Sequence, residues 1–193
     1  MIVGDTSNFA IESGITQAYE RLSFRALGYF VIHIGGRRYG VYTPDATMLA
    51  CSFDEVQRRL AERSSHTAPF ANSPNAGKIA DAFRKAVFAP GQEKEFFFGI
   101  QQPEFCNVLN SNRIVWAPDG DEAFDDGSFV LQFDVGTLVR LIAFKSCEDG
   151  YDHDPITIRD LWLNANDFYH TLERWRNGFE AAWASAPKMA DNT

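Results

Sequence analysis

The stretch Phe129–Lys145 reads FVLQFDVGTLVRLIAFK and predicts a β-hairpin. In its first half, large apolar residues alternate with other side chains, which is the period-two pattern of a strand with one buried face. The sequence DVGT at 134–137 has turn chemistry, and an apolar run from 138 to 145 follows it. We therefore expect two antiparallel strands, with residues 130–132 paired against residues 141–143.

The chain beyond this hairpin predicts one more strand and a long helix. Residues 156–163 form the strand candidate, and Asn164 and Asn166 offer turn and N-cap chemistry for a helix that runs to about Ser185. Large apolar residues recur along this helix at intervals of four, three, four and four positions, which places them on one face: Phe168, Leu172, Trp175, Phe179 and Trp183. We expect that face to lie across the sheet.

Upstream of the hairpin, the first strands are also visible in the sequence. Residues 9–12 form a short candidate, and residues 29–34 form a stronger one because β-branched and aromatic side chains dominate it. Gly35-Gly36 then favours a tight turn into residues 37–42, since glycine accepts the positive φ that such turns require. A short strand is also expected at 113–116.

Two shorter helices are predicted between these strands. The sequence SFDE at 52–55 is a capping-box pattern for a helix that runs to about Arg63. Ser73-Pro74 suits the start of a second helix, which Pro90-Gly91 ends. The loop between the two, residues 64–73, is expected to be mobile.

The order of these elements predicts an α+β fold. It consists of a mainly antiparallel sheet, a long C-terminal helix packed on that sheet, and two shorter inserted helices. A chain of 193 residues has the length of one domain, which we place at residues 1–193.

The composition narrows the classes of function. Hydrophobic residues make up 45% of the chain and Phe alone counts 17, enough for a substantial core. The formal net charge is -8, which argues against non-specific binding to nucleic acid or to an anionic membrane and favours a basic partner. The chain has 3 cysteines, too few for a disulfide framework, and neither a targeting segment nor a membrane span is apparent. We expect a cytoplasmic protein.

Catalytic motifs are not found in the sequence, so we expect a protein without enzymatic activity and without a cofactor. Gly35–Gly40 is glycine-rich but lies between strands, whereas a phosphate loop opens a helix. His33 is expected to be structural, His66 to be solvated in its loop, and His170 to point away from the apolar face of the last helix.

The negative charge is concentrated in one stretch. Residues 119–154 contain 10 acidic and 2 basic residues, a net charge of -8, whereas the rest of the chain has 16 of each. If the hairpin forms, its open end brings two acidic segments to one edge of the sheet. We therefore predict a partner-binding surface there that would attract a basic protein; its residues are Asp119, Asp121, Glu122, Asp125, Asp126, Glu148, Asp149, Asp152 and Asp154.

A metal site is the main alternative interpretation of these segments. Asp119 and Asp121 fit the first two ligand positions of an EF-hand loop, but Ala123, Phe124 and Val130 do not fit the later ones. The loop Glu148–Asp154 offers carboxylates and one imidazole, so a small metal-binding hydrolase remains an alternative. We expect no specific metal site, because local spacing alone does not fix a coordination geometry. A solvated, merely solubilising surface is the other alternative.

The two ends of the chain resemble a known family. Met1–Asp5 followed by Phe9–Glu12 is similar to the opening of immunity protein family forty-two, from bacterial polymorphic-toxin and contact-dependent inhibition systems. A strand closing in Trp162-Leu163, and a helix that begins near Asp167-Phe168 and carries Leu172, resemble the end of that family. The opening departs from the pattern at Thr6-Ser7-Asn8, where a proline or an aromatic residue would be expected.

The resemblance implies an inhibitor rather than an enzyme. Proteins of this family are made beside a secreted toxin, remain in the cytosol, and bind the toxin's C-terminal domain. Many such toxins are nucleases with basic domains, so the resemblance agrees with an acidic binding surface and implies no catalytic residue. An adaptor or structural subunit without inhibitory action remains a further alternative.

Overall fold

A computed structural model describes residues 1–116, 121–147 and 149–189. Along these residues the strands and α-helices follow the order β1 (Ile2–Gly4), β2 (Phe9–Tyr19), β3 (Ala26–Ile34), β4 (Arg37–Tyr39), β5 (Thr47–Met48), α1 (Leu49–Ala61), α2 (Ala76–Phe88), β6 (Phe96–Phe97), β7 (Ile100–Gln101), α3 (Gln102–Ser111), β8 (Ser128–Val135), β9 (Leu138–Lys145), β10 (Arg159–Asn164), α4 (Ala165–Ser185) and β11 (Lys188–Met189). A 3-10 turn, Glu122–Phe124, precedes β8. The predicted α+β class is confirmed.

Within the described ranges, the strands form three sheets. The largest has the order β1-β2-β3-β4, with β5 also paired to β3 and β11 to β2. The second has the order β10-β9-β8, and β6 pairs with β7 in a small hairpin. All of these pairs are antiparallel except β11 with β2. The strand pairing is therefore mainly antiparallel, as expected, but the strands form separate sheets and not a single one.

The β8–β9 hairpin is buried on both faces. Its register confirms the prediction, since Val130 pairs with Ala143 and Gln132 with Leu141. Val130 and Leu141 pack into the core shared with the large sheet, α1 and α4. Leu131 and the residues alternating with it pack into a second core beneath α2 and α3. The expectation of one buried face was wrong because period two separates the two faces of a strand but does not reveal what covers each.

Helix α4 lies across the large sheet with its apolar face inward, as predicted. Asn164 is the N-cap, and its side chain accepts from the Asn166 amide (2.9 Å). Phe168, Leu172 and Phe179 are buried, while Trp183 is half-buried at the end of the stripe. The ring nitrogen of Trp175 donates to the Ser13 hydroxyl on β2 (3.0 Å), which fixes the helix to the sheet.

Several local boundaries differ from the sequence prediction. Gly35 and Gly36 form the expected turn, with φ of 55° and 76°, but the following strand ends at Tyr39. Helix α1 begins at Leu49, so Ser52 lies inside it and its buried hydroxyl makes no hydrogen bond among the described residues. Helix α2 is capped by Asn75, whose side chain accepts from the Lys78 amide, two residues after the expected Ser73. Helix α1 therefore begins on the buried residues Leu49 and Ala50, whereas α2 begins at a side-chain cap that lies two residues after the expected one.

The sequence prediction also missed a helix and placed a strand where none forms. Helix α3 has two fully buried residues, Phe105 and Leu109, so its periodicity is weak in the sequence. Residues 113–116 form no strand; a single bridge joins Val115 to Leu131. The described part of the chain therefore has three shorter helices inserted between its strands, one more than predicted.

The loop at residues 64–73 is packed and not free, contrary to its composition. The His66 ring is buried, and its backbone amide donates to the Asp134 carboxylate (3.2 Å). At the other end of the loop, the Arg140 guanidinium donates to the carbonyls of Ala71 and Ser73 (2.7 Å each). Arg140 itself is buried and forms two 2.8 Å contacts with Asp160. Arg140, the charged residue within the apolar run of β9, therefore anchors this loop.

Candidate functional site

Two acidic segments meet at the open end of the β8–β9 hairpin. Ser128 and Lys145 are the terminal pair of that hairpin, and just beyond it the Ser146 amide donates to the Gly127 carbonyl (2.9 Å). The first segment therefore leads into β8 where the second leaves β9. We call residues 121–126 and 149–154 together the acidic edge. Their convergence confirms the geometric part of the sequence prediction.

The first segment exposes two carboxylates because its apolar residues are buried. Ala123 and Phe124 pack into the core, and the Ala123 carbonyl accepts from the Val41 amide (2.8 Å). Glu122 and Asp125, on either side of them, are exposed. The 3-10 turn thus holds these two side chains outward on a fixed backbone.

Asp121 has a mainly structural position in the same segment. Its carboxylate caps the 3-10 turn by accepting from the Ala123 amide (3.0 Å), and it also accepts from the Thr47 hydroxyl (3.4 Å). Burial raises the pKa of the Asp121 carboxyl, against the lowering effect of these two hydrogen bonds. This residue is therefore less available to a partner than the sequence suggested.

An open cleft joins the two segments. Its lining includes the carboxylates of Asp126, Asp149 and Asp154, with Lys145 and Cys147 beside them. Asp126 accepts from the Ser128 amide (3.1 Å) and pairs with the Lys145 ammonium (2.5 Å). Because Asp126 and Lys145 are 19 positions apart in sequence, the cleft exists only when the hairpin has formed.

Helix α2 holds the second segment in place. The Lys85 ammonium pairs with Asp152 (2.9 Å), and the Asp81 carboxylate accepts from the His153 amide (3.0 Å) and contacts its ring nitrogen Nδ1 (2.6 Å). The Arg84 guanidinium donates to the Gly150 carbonyl (3.4 Å). These cations and contacts neutralise part of the negative charge, which a count along the sequence could not show.

The predicted binding residues therefore differ in how available their carboxylates are to a partner. Asp119 and Glu148 lie outside the described residues. Asp154 accepts from the Ile156 amide (3.0 Å) and so shapes its own turn. Within the described part of the chain, three members of the set are exposed and form no ion pair: Glu122, Asp125 and Asp149.

Asp134 belongs to the acidic stretch in sequence but not in space. It lies at the closed end of the hairpin, where the Tyr169 hydroxyl donates to its carboxylate (2.8 Å). Asp54 of α1 is exposed and was not part of the predicted set. Burial raises the pKa of the Cys51 thiol, and the nearby carboxylates of Asp121, Asp54 and Glu122 raise it further.

The residues that carried the family resemblance are structural in this fold. Gly4 has φ of 109°, and a Cβ atom there would lie 2.4 Å from the Phe9 carbonyl oxygen, so glycine is required. The Phe9 ring packs 4.9 Å from the Phe168 ring, which joins the opening strands to α4. In the turn between β1 and β2, Asp5 accepts from the Ser7 amide (2.8 Å), so Thr6-Ser7-Asn8 still forms a compact connection.

A family model described as immunity protein 42, Imm42, matches residues 1–178. The chain belongs to the Imm42 family. Among solved structures, CdiI from Burkholderia dolosa AUO158 has a similar fold, with a TM-score of 0.56 over 92% of this chain and 99% of that chain. The two sequences are 14% identical, so this likeness concerns the fold alone. No curated protein sequence matches the chain significantly.

The histidines of this Imm42 chain are mostly engaged in packing. His33 contacts the Glu12 carboxylate (2.9 Å) between neighbouring strands, and His170 is exposed, as expected for both. His66 was expected to be solvated but is buried, and its ring nitrogen Nδ1 lies 3.0 Å from the Asn112 carbonyl. Across residues 1–116, 121–147 and 149–189, no three His, Cys, Asp or Glu side chains are grouped so that they could hold a metal ion. Nor does any helix in these ranges have the length and apolarity needed to cross a membrane.

Proposed function

We propose that this Imm42 protein neutralises a cognate toxin domain by stoichiometric binding, and that the acidic edge is the surface that attracts it. The toxin domain would carry a basic surface, as a nuclease domain often does. The protein would act in the cytoplasm and without catalysis of its own. Family membership supports the immunity role, and the position of the carboxylates supports the surface.

One observation carries the choice of surface. Glu122, Asp125 and Asp149 come from segments on opposite sides of a hairpin, yet they lie at one edge without an ion-pair partner among the described residues. Like charges placed together repel each other, so such an arrangement costs folding energy unless a partner compensates it. A basic toxin surface would supply that compensation. The negative charge of the acidic edge would also attract that basic surface during association. Salt limits the range of this attraction to a screening length of about 8 Å at physiological ionic strength.

Charge reversal at the acidic edge tests this proposal. Glu122→Lys/Asp125→Lys changes the charge by four units at exposed positions and should slow association with the cognate toxin domain about tenfold or more at low salt. The salt dependence of the association rate should also become flatter, because steering is the part that salt screens. Binding kinetics at two salt concentrations measure both effects.

A matched variant separates local from overall charge. Glu20→Lys/Glu180→Lys makes the same four-unit change at exposed positions, on the β2–β3 turn and on α4 respectively. Its association rate should stay near that of the unaltered protein. Equal rates for a folded Glu122→Lys/Asp125→Lys variant and the unaltered protein would remove the acidic edge from the interface.

The metal-dependent hydrolase has less support from the contacts of its candidate ligands. The His153 ring contacts Asp81, and the Asp152 carboxylate pairs with Lys85, so both side chains already have partners. A non-inhibitory adaptor is distinguished by activity: a protein that binds the toxin domain and leaves its activity unchanged would be an adaptor, whereas the proposal expects loss of toxin activity at one equivalent.

A further inference from the structure

The β6–β7 hairpin presents large aromatic side chains to solvent. Phe96 is 66% exposed and Phe98 is 38% exposed, although the neighbouring Phe97 packs against the second core. Nearby, at the end of α2, Val87 and Phe88 are also exposed. Exposed apolar residues mark an interaction site when they form a contiguous patch and are not scattered singly. We call residues 96–101 the aromatic hairpin.

The tip of the aromatic hairpin has a residue that its backbone does not favour. Phe97 pairs with Ile100, so Phe98 and Gly99 form a two-residue turn with φ of 54° and 79°. Such a turn favours asparagine or glycine at its first position, because a left-handed backbone crowds any Cβ atom. The Phe98 ring does stack on Phe70 (5.3 Å), but that contact leaves part of it in solvent. A strained, partly exposed aromatic residue at a hairpin tip is more readily explained by binding than by folding.

The last turns of α2 connect the aromatic hairpin to the acidic edge. The Ala86 carbonyl accepts from the Gln102 side chain (2.6 Å), at the residue where the hairpin passes into α3. Immediately before Ala86, the side chains of Arg84 and Lys85 hold the second acidic segment. The Arg84 guanidinium also lies over the Phe88 ring (4.8 Å). The last turn of α2 therefore contacts both the base of the aromatic hairpin and the second acidic segment.

We infer that the aromatic hairpin, together with Phe88, is the apolar anchor of the toxin-binding surface. This inference rests on the proposed function and specifies its partner: a toxin surface with an apolar depression rimmed by Lys and Arg. Binding energy in protein interfaces concentrates in a few well-packed aromatic anchors, while charges at the rim mainly govern the association rate. The aromatic hairpin would supply the aromatic anchors, and the acidic edge would supply the charges that govern the association rate.

A second copy of this chain fits the surface less well. Two-fold association presents the same patch from both subunits, so any acidic group that lies near the two-fold axis would approach its own copy. Such a like-charge approach is unfavourable, whereas a basic rim on a toxin is complementary. The charge next to the apolar groups thus selects a different protein as the partner.

Two variants test the anchor without disturbing the fold. Phe96→Ser removes a mostly exposed ring, and Phe98→Asn replaces the strained residue with one that suits its backbone. Each should raise the dissociation rate of the complex with the cognate toxin domain about tenfold or more, while the association rate and its salt dependence stay near those of the unaltered protein. Leu22→Ser is the control, since Leu22 is 61% exposed in the β2–β3 turn, and it should change neither rate.

The outcomes separate this inference from the function on which it rests. If the unaltered protein binds and the two Phe variants dissociate at its rate, the anchor is wrong and the immunity function stands. If the unaltered protein does not bind its toxin domain, both are wrong. Sedimentation of the free protein supplies the remaining outcome: a dimer that Phe96→Ser dissociates would assign the hairpin to self-association and overturn the inference.

Discussion

At the scale of single residues, the polar groups inside this protein are more informative than those on its surface. Arg59 is fully buried, pairs with Glu55 (2.9 Å) and donates to Gln132 (3.0 Å). The Gln132 amide in turn donates to the Tyr169 hydroxyl (2.9 Å), and Tyr169 donates to Asp134. This chain of contacts joins α1, β8 and α4. Buried charges are tolerated here because each has a partner, and loss of one partner would leave the other uncompensated.

His66 borders this network and should make folding sensitive to acid. Burial lowers the pKa of His66, and the positive charge of Arg59 lowers it further, against the raising effects of its hydrogen bond to Asn112 and of the Asp134 and Glu62 carboxylates. The unfolded chain therefore takes up a proton below about pH 6.5 when the folded chain does not. The contribution of neutral His66 to the free energy of unfolding is fully present above that pH. It falls as the pH decreases, by at most about 1.4 kcal/mol per pH unit.

Thermal melts at several pH values between 7.5 and 5.5 measure this effect. His66→Gln should reduce the fall in melting temperature over that interval, whatever its stability at pH 7.5. His170→Gln is the control, because His170 is exposed on α4. An equal fall in the unaltered protein and in His66→Gln would mean that His66 does not govern acid stability.

At the scale of elements, α4 is the part whose role followed most directly from the sequence. Trp175 is fully buried between Phe30 (5.1 Å) and Phe179 (5.3 Å), and its ring nitrogen is hydrogen-bonded to Ser13. Replacement of such a ring leaves a large cavity and an unpaired hydroxyl. Trp175→Ala should therefore lower the free energy of unfolding by roughly 3–5 kcal/mol.

Chemical denaturation of Trp175→Ala measures that loss. Trp162→Ala is a matched control on β10, where the ring is 40% exposed and stacks with Arg140 (5.1 Å), and it should cost about 1 kcal/mol or less. Similar losses for the two variants would show that α4 is not held by its apolar face.

At the scale of the whole molecule, the protein is expected to act by binding alone. Mixed with its toxin domain, it should form a complex of one copy each that abolishes toxin activity. The isolated protein should hydrolyse neither nucleic acid nor peptide, and a chelator should leave its melting temperature unchanged. Light scattering of the complex and hydrolysis assays with and without the chelator check these expectations. Chelator-sensitive hydrolysis that is lost in Asp152→Ala or His153→Ala would contradict them.

The sequence alone was sufficient for features that depend on neighbouring residues. The β8–β9 hairpin, the Gly35-Gly36 turn and the extent of α4 were predicted correctly because turn chemistry and apolar periodicity are local properties. The family was also identifiable, because its motif residues at the two ends of the chain serve packing positions such as Phe9 and Phe168.

Tertiary structure decided every feature that depends on residues distant in sequence. The loop at 64–73 looked mobile because Arg140 and Asp134, which hold it, come much later in the chain. Likewise, charge counting could place negative residues near one hairpin but could not foresee that Lys85 neutralises Asp152. The aromatic hairpin went unnoticed because exposure of Phe96 depends on what packs beside it. A sequence determines the charge and apolarity of each residue, but only the folded chain determines which of them remain available to a partner.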